Sequence, residues 1–285
     1  MNGEQEPFHE SKLERSLAHA GASQDIRRGI VDHIVAEIRD GMTTQEIYEH
    51  AFELLRQREK DPVAARYSVK RAVLELGPSG FPFEQFIAEI FKTMEYTDVE
   101  TGVAAQGKCA PHEVDVMAVH AGKKVAAEVK FHNSLGIKTD LKVALYVRAR
   151  FDDLKSADAK IDEGWLITNT RFTRNAARFG NCTGMNLLGW DYPRGRGLEV
   201  LINRAGVHPI TALTSLTAEQ KRYLLKKNLV LCRQLELDGE SLRSYGVRND
   251  DHENVRNEVR ELCRLHSEMT EAPLPSTIDS YEQHT

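Results

Sequence analysis

Apolar residues recur three and four apart through the first part of the chain. Leu13, Leu17 and Ala20 make one short run, which Gly21 ends. Ile26, Ile30, Ile34 and Ile38 make a second, spanning about Ser23 to Arg39 and stopped by Asp40-Gly41. Thr43 or Thr44 is placed to cap a third helix carrying Ile47, Ala51, Leu54 and Leu55, and a fourth is expected from about Pro62 to Leu76. Short helices joined by tight turns predict a small bundle over residues 1–76.

At Gly77-Pro78-Ser79-Gly80-Phe81-Pro82 the pattern breaks and its period changes. Phe83, Phe86, Ile87, Ile90 and Phe91 form the stripe of a helix at 83–95. Strands are predicted at 98–105, 113–120 and 124–131, with His120-Ala-Gly-Lys123 as the hairpin turn between the last two. A helix at 137–155, a strand at 165–168, a helix at 172–179 and a strand at 185–189 follow. This order predicts an α/β domain over 77–205, a mixed sheet flanked by helices. Residues 206–285 read as a helical region, with Thr217-Ala-Glu-Gln220 as a capping box. From Glu271 the polar, proline-containing sequence predicts a frayed tail.

The 285 residues, 41% of them hydrophobic, are enough to bury a sizeable core. The net charge of −5 means that a nucleic-acid partner would need a local basic surface. Cys109, Cys182, Cys232 and Cys263 are widely spaced, which argues against a zinc ribbon or a disulfide framework and for a reducing compartment. No apolar run approaches the ~20 residues of a membrane span. The expectation is a cytoplasmic protein with no membrane partner.

The candidate chemistry lies in two strands. Glu128 and Lys130 are two residues apart and share one strand face, while Val125, Ala127, Val129 and Phe131 take the other. Asp115 sits between Val114 and Val116 in the preceding strand. A charge in such a strand needs a partner, because burying it alone is costly. Two carboxylates that Mg²⁺ could bridge, with a lysine beside them, suit phosphodiester hydrolysis. The plain alternative is a salt pair on a solvated sheet face. Glu84, on the flank of the preceding helix's apolar stripe, is a candidate to orient a metal-bound water or to complete the carboxylate cluster. Lys138, Lys142 and Tyr146 fall on one stripe of the helix at 137–155, with Arg148 and Arg150 near it, and are candidates to meet DNA phosphates. His112 and His132 lie near strand ends, either as a second ligand or base or as edge histidines facing solvent.

Phe83-Glu84, Glu113-Val-Asp115, Glu128-Val-Lys130, Leu166-Ile-Thr-Asn169, Phe172-Thr-x-x-Ala176 and Leu187-Leu188-x-Trp190 follow one another in an order that resembles the Mrr-like branch of the PD-(D/E)xK restriction endonucleases. The chain departs from that pattern at Val114, where proline is usual, and at Lys108-Cys-Ala-Pro-His112, which replaces a glycine-rich run. The resemblance implies that Asp115 and Glu128 bind Mg²⁺ or Mn²⁺, helped by a backbone carbonyl near Val129. It also implies that Lys130 activates the attacking water or stabilises charge on the phosphate.

The opening Gly3-Glu-Gln-Glu-Pro7-Phe8, Lys12-Leu13, Ser16-Leu17 and Asp40-Gly41-Met-Thr-Thr44-x-x-Ile47 are similar to an ATP-cone, without the strand and Lys-Arg pair that usually precede the glycine. This resemblance implies a truncated cone in which Glu6, Lys12 and Thr44 contact ATP or dATP. A weaker rhythm from Ile210 to Leu235 looks like half a helix-hairpin-helix, with its turn at Lys227-Asn228. Together these imply a Mg²⁺-dependent DNA endonuclease of type IV restriction kind, acting as a homodimer under nucleotide control. The competing readings are a non-catalytic nucleotide-sensing DNA-binding regulator and a structure-specific repair or junction nuclease.

Overall fold

The computed structural model describes residues 7–58, 61–134, 136–157 and 161–263; Glu6 and the tail expected from Glu271 lie outside them. Among the described residues five helices come first: α1 (Glu10–His19), α2 (Gln24–Glu37), α3 (Thr44–Arg58), α4 (Asp61–Tyr67) and α5 (Val69–Leu74). Local chemistry sets their starts. Ser23 Oγ accepts from Ile26 N at 3.4 Å at the head of α2. Ahead of α3, Thr43 Oγ1 accepts from Glu46 N at 3.2 Å, and the Glu46 carboxylate accepts from Thr43 N at 2.7 Å, a reciprocal cap. The single helix expected from Pro62 to Leu76 is divided at Ser68, whose hydroxyl donates back to the Ala65 carbonyl at 2.9 Å. Leu17, Ile30, Ile34, Ala51 and Leu55 form the buried centre of this bundle.

Next come α6 (Phe81–Thr93), β1 (Thr97–Gln106), β2 (Pro111–His120), β3 (Lys123–Lys130), β4 (Lys138–Thr139), α7 (Leu141–Lys155), β5 (Glu163–Thr168), β6 (Arg171–Phe172), α8 (Arg174–Cys182), β7 (Asn186–Leu188) and α9 (Leu198–Ala205). Helix α6 starts at Phe81 rather than at 83, because Pro82 needs no amide partner in a first turn. The main sheet has the order β1-β2-β3-β5-β7. β1, β2 and β3 are antiparallel and β3, β5 and β7 parallel, so the sheet is mixed as predicted. The turn between β2 and β3 has positive φ at Ala121 (48°) and Gly122 (76°), the two-residue hairpin geometry that follows the right-handed strand twist.

Two further boundaries differ from the sequence pattern. Helix α7 begins at Leu141, not at 137, because Asp140 caps it by accepting from Val143 N at 3.1 Å. Lys138 and Thr139 instead form the short strand β4, paired with β6. The helix expected at 172–179 likewise starts after Thr173, whose hydroxyl accepts from Ala176 N at 3.3 Å.

The last helices among the described residues are α10 (Ala218–Lys226), α11 (Gly239–Ser244) and α12 (His252–Cys263). Asn228 takes the left-handed turn the sequence allows, with φ 58°. No helix follows it directly, because Val230 and Leu231 are drawn into backbone pairing: Ile210 N donates to Val230 O at 2.8 Å, and Pro209 bridges Leu231. A helix-hairpin-helix is therefore not formed.

The described residues up to Val73 and from His208 to Cys263 make one compact unit, and Leu74–Val207 make a second. In the first unit Ala65 joins the apolar cluster of Leu213, Leu224, Val255 and Val259. Arg66 donates to Glu261 O at 3.2 Å, and Thr211 Oγ1 to Ala72 O at 2.5 Å. The C-terminal helices thus close over α4 and α5. Buried Glu258 fastens the Thr214-Ser215 turn, accepting from both backbone amides at 2.7 and 2.9 Å and from both hydroxyls.

In the second unit α7 lies so close to β5 that a Cβ on Gly164 would come within 2.4 Å of the Phe151 ring. Phe151 belongs to the core cluster with Ala126, Val147, Leu154 and Leu166, so it has little room to give way. Gly164→Ala is expected to cost about 1–3 kcal/mol of stability, read as a lower midpoint in urea denaturation with unchanged slope.

Candidate active site

The hairpin of β2 and β3 brings the candidate carboxylates together. Its register pairs Val116 with Ala127, which sets Asp115 beside Glu128. Asp115 accepts a hydrogen bond from Val129 N at 2.6 Å, and this amide fixes the carboxylate against the neighbouring strand. Strand β3 is buried on both faces. Phe131, just past its end, packs on Phe83 of α6 with ring centroids 5.4 Å apart, while Ala126 packs in the cluster with Ala144, Val147 and Phe151 of α7. Polar and apolar positions alternate along β3, but exposure does not, because helices cover both sides of a central strand.

Glu128 is therefore only 2% exposed, which excludes a solvated salt pair. Two cations compensate its charge. Lys130 Nζ donates to Oε1 at 2.5 Å, and Arg150 of α7 donates to Oε2 and, at 3.0 Å, to the Glu113 carbonyl. The Arg150 guanidinium also lies over the Tyr146 ring, 4.7 Å from its centroid. Glu84 looks onto the same cluster from α6. Burial pushes its carboxyl up to about 7, helped by repulsion from Asp115, Glu113 and Glu128. Burial, followed by repulsion from Glu128, raises Asp115 as well. Glu84, Asp115, Glu128 and Lys130 thus share one electrostatic environment.

Arg150 is the site residue that the sequence stripe understated. It follows Lys142 and Tyr146 at four-residue steps, so helical spacing alone puts it on their line. Lys142 and Tyr146 are exposed along that line. Arg148 instead turns to Asp152, at 2.8 Å, and to the Thr183 carbonyl. Lys138 is exposed but sits on β4 and not on the helix.

Neither histidine reaches the carboxylates. His132 Nε2 lies 3.0 Å from Thr139 Oγ1, and the Thr139 hydroxyl donates to Thr168 Oγ1 at 3.1 Å. Asn169 ties the His132 backbone in both directions at 2.8 Å. Burial, then the neighbouring Lys130 charge, lowers the His132 pKa. His112 Nε2 lies 2.8 Å from Asp153, which also accepts from Cys109 N at 2.7 Å and Ala110 N at 3.2 Å. Asp153 thereby anchors the Lys108–His112 stretch to α7.

In the first unit, Lys12 lines a cleft of about 440 Å³ with Phe8, Arg39, Gly41, Tyr48 and Tyr67. The Tyr48 and Tyr67 rings stack at 4.9 Å. Thr44 opens helix α3 close in sequence to that wall.

Comparison with known proteins agrees with both resemblances. The ATP cone domain family matches residues 1–74, the restriction endonuclease family residues 77–191, and the AF1548-like C-terminal family residues 208–263. An uncharacterized protein of Archaeoglobus fulgidus is 38% identical over 151 residues, 53% of this chain and 84% of that protein. The crystal structure of AF1548, a protein of unknown function, is similar with a TM-score of 0.54 and 32% identity, covering 65% of this chain and 98% of that one.

The anchor formed by Asp153 has a pH signature. The hydrogen bond from His112, with those from the Cys109 and Ala110 amides, holds this carboxyl down at about 2, below its ordinary 3.8. A depressed folded-state pKa stabilises the fold above the ordinary value, and the contribution is lost as pH falls through the depressed one. Asp153→Asn is expected to lower the melting temperature at neutral pH, with the gap to wild type closing as the pH is taken from about 4 to about 2. Parallel melting curves across that range check it.

Proposed function

The chain belongs to the AF1548-like family and carries an ATP cone domain and a restriction endonuclease domain, and from that premise we propose that it hydrolyses phosphodiester bonds in DNA at Asp115, Glu128 and Lys130 with Mg²⁺ or Mn²⁺. The observation that carries this reading is the buried Glu128, placed beside Asp115 by strand register and bonded to Lys130. A sheet with only a scaffolding task has no use for a carboxylate pair and a lysine at its centre.

The donor set fits a hard divalent cation. Asp115 and Glu128 offer carboxylate oxygens only, the ligands preferred by Mg²⁺ and Mn²⁺. Among the described residues, Glu84, Glu113, Asp115 and Glu128 bring more negative charge to this point than Lys130 and Arg150 balance. A bound metal would polarise the phosphate and make its water more acidic.

Each residue has a task in this reading. Val129 N–H holds Asp115 in place, and Lys130, kept beside Glu128, orients the attacking water or neutralises phosphate charge. Arg150 brings a guanidinium charge beside Glu128, where it would favour an approaching phosphate. Lys142 and Tyr146 continue that line towards solvent and suit the DNA backbone. Lys138, on β4, adds another exposed cation, whereas Arg148 serves α7 and not the substrate. The biological setting that suits such an enzyme is type IV restriction of foreign DNA, with two chains cutting the two strands.

Plasmid cleavage tests the catalytic assignment. Nicking and linearisation in Mg²⁺ or Mn²⁺ should stop with EDTA, and Asp115→Ala and Lys130→Ala should each lower the rate by about 10² or more. Equal rates in wild type and both variants, with unchanged circular dichroism, would overturn it.

The ATP-cone would bind ATP or dATP as an effector in the cleft lined by Lys12, and the ATP-cone resemblance adds Glu6 and Thr44 as contacts. Calorimetry with either nucleotide should give one site per chain. Lys12→Ala should weaken it by about tenfold, the worth of one charged phosphate contact. Absence of heat up to millimolar nucleotide would refute effector binding.

A further inference from the structure

Helices α2 and α3 carry a second cluster of ligating side chains, in the unit that does not contain Asp115 and Glu128. His33 and Glu37 are one helical turn apart on α2, and His50 reaches them from α3. The Glu37 carboxylate faces both rings: Oε1 is 3.2 Å from His33 Nε2, and Oε2 is 3.5 Å from His50 Nε2. The rings themselves meet edge to face, with centroids 5.2 Å apart. One potential ligand atom from each residue lies within 4.8 Å of the others.

We propose that His33, Glu37 and His50 form a binding site for a divalent transition metal, zinc above all, that staples α2 to α3. In a tetrahedral zinc site with ligand distances of about 2.0–2.2 Å, neighbouring donor atoms stand roughly 3.3–3.6 Å apart. Of the two carboxylate–imidazole distances, measured to different oxygens, the 3.5 Å one falls inside that range and the 3.2 Å one just below it. An i,i+4 contact accounts for His33 and Glu37 alone. It does not account for a second imidazole brought by another helix to the same carboxylate and packed on the first.

Packing and capping hold the two helices that carry the ligands. Ile30, Val31 and Ile34 anchor α2 in the bundle, Ala51, Leu54 and Leu55 anchor α3, and the Thr43–Glu46 cap sets the turn between the helices. The three side chains remain partly exposed, so an ion can enter. Two imidazoles and one carboxylate select Zn²⁺, Co²⁺ or Ni²⁺ over Mg²⁺. This separates the site chemically from the oxygen-only donors at Asp115 and Glu128. Three protein ligands leave the remaining position to water or another donor.

The test uses the full chain, stripped of metal with a chelator and then titrated with Co²⁺ and Zn²⁺. One equivalent of Co²⁺ should produce visible d–d absorption that Zn²⁺ displaces, and Zn²⁺ should raise the melting temperature saturably. His33→Ala and His50→Ala should each lose the absorption and at least about tenfold in affinity. Glu37→Gln, similar in shape and on a largely exposed side chain, should weaken binding without changing the circular dichroism. Asp115→Ala should leave the cobalt spectrum unchanged. The proposal is overturned if no Co²⁺ spectrum appears, if His33→Ala and His50→Ala bind as wild type does, or if the absorption is thiolate charge transfer that vanishes in Cys109→Ala/Cys182→Ala.

Discussion

A carboxylate at the centre of a sheet is stable only when its charge is answered on the spot, and Glu128 is answered twice. Lys130 comes from its own strand and Arg150 from the helix packed across that strand. Losing one partner of a buried pair typically costs about 3–5 kcal/mol, because the other charge is stranded. The arrangement therefore ties the position of α7 to the chemistry of β3. Close packing of α7 on Gly164 and the Asp153 anchor on the Lys108–His112 stretch serve the same end, since both bring the helix down onto the strands that carry Asp115 and Glu128.

The parallel half of the sheet adds a second constraint. Lys130 pairs in register with Thr168, and beyond them His132, Thr139, Thr168 and Asn169 are joined by hydrogen bonds. These groups lie at the end of β3, where the chain leaves the sheet, and they fix its exit path. A histidine near a carboxylate cluster invites a functional role, yet here both nearby histidines have structural partners. The helical unit is organised on a different principle. Apolar clusters and caps shape it, and its polar groups include the Lys12 cleft, the buried Glu258 contacts to the Thr214-Ser215 turn, and His33, Glu37 and His50.

Much of this was legible in the chain itself. Period-four apolar runs, the cap at Thr43 or Thr44 and the box at Thr217, the Ala121-Gly122 turn and the alternating faces of β3 are all local signals, and local signals depend on neighbours a few residues away. The twelve residues between Asp115 and Glu128, folded back by a two-residue turn, already imply that the two carboxylates meet. The order of motifs from Phe83 to Trp190 carries the endonuclease resemblance for the same reason: it is written along the chain.

What the sequence could not decide by itself was which charges answer which. Arg148 and Arg150 have the same side chain and lie two residues apart, but a helix turns roughly 200° over that step, so one meets Asp152 and the other Glu128. Whether Glu128 is solvated depends on helices covering both faces of β3, a property of layers and not of any segment. The pairing of Lys138 and Thr139 with β6, ahead of the local Asp140 cap of α7, and the failure of a helix to follow Asn228 both involved backbone pairing with distant residues. The meeting of His50 with His33 and Glu37 likewise required α2 and α3 to be packed. Local sequence determined the elements and the identity of the reactive groups. Tertiary structure decided their partners, because burial and charge pairing are settled only when separate elements come into contact.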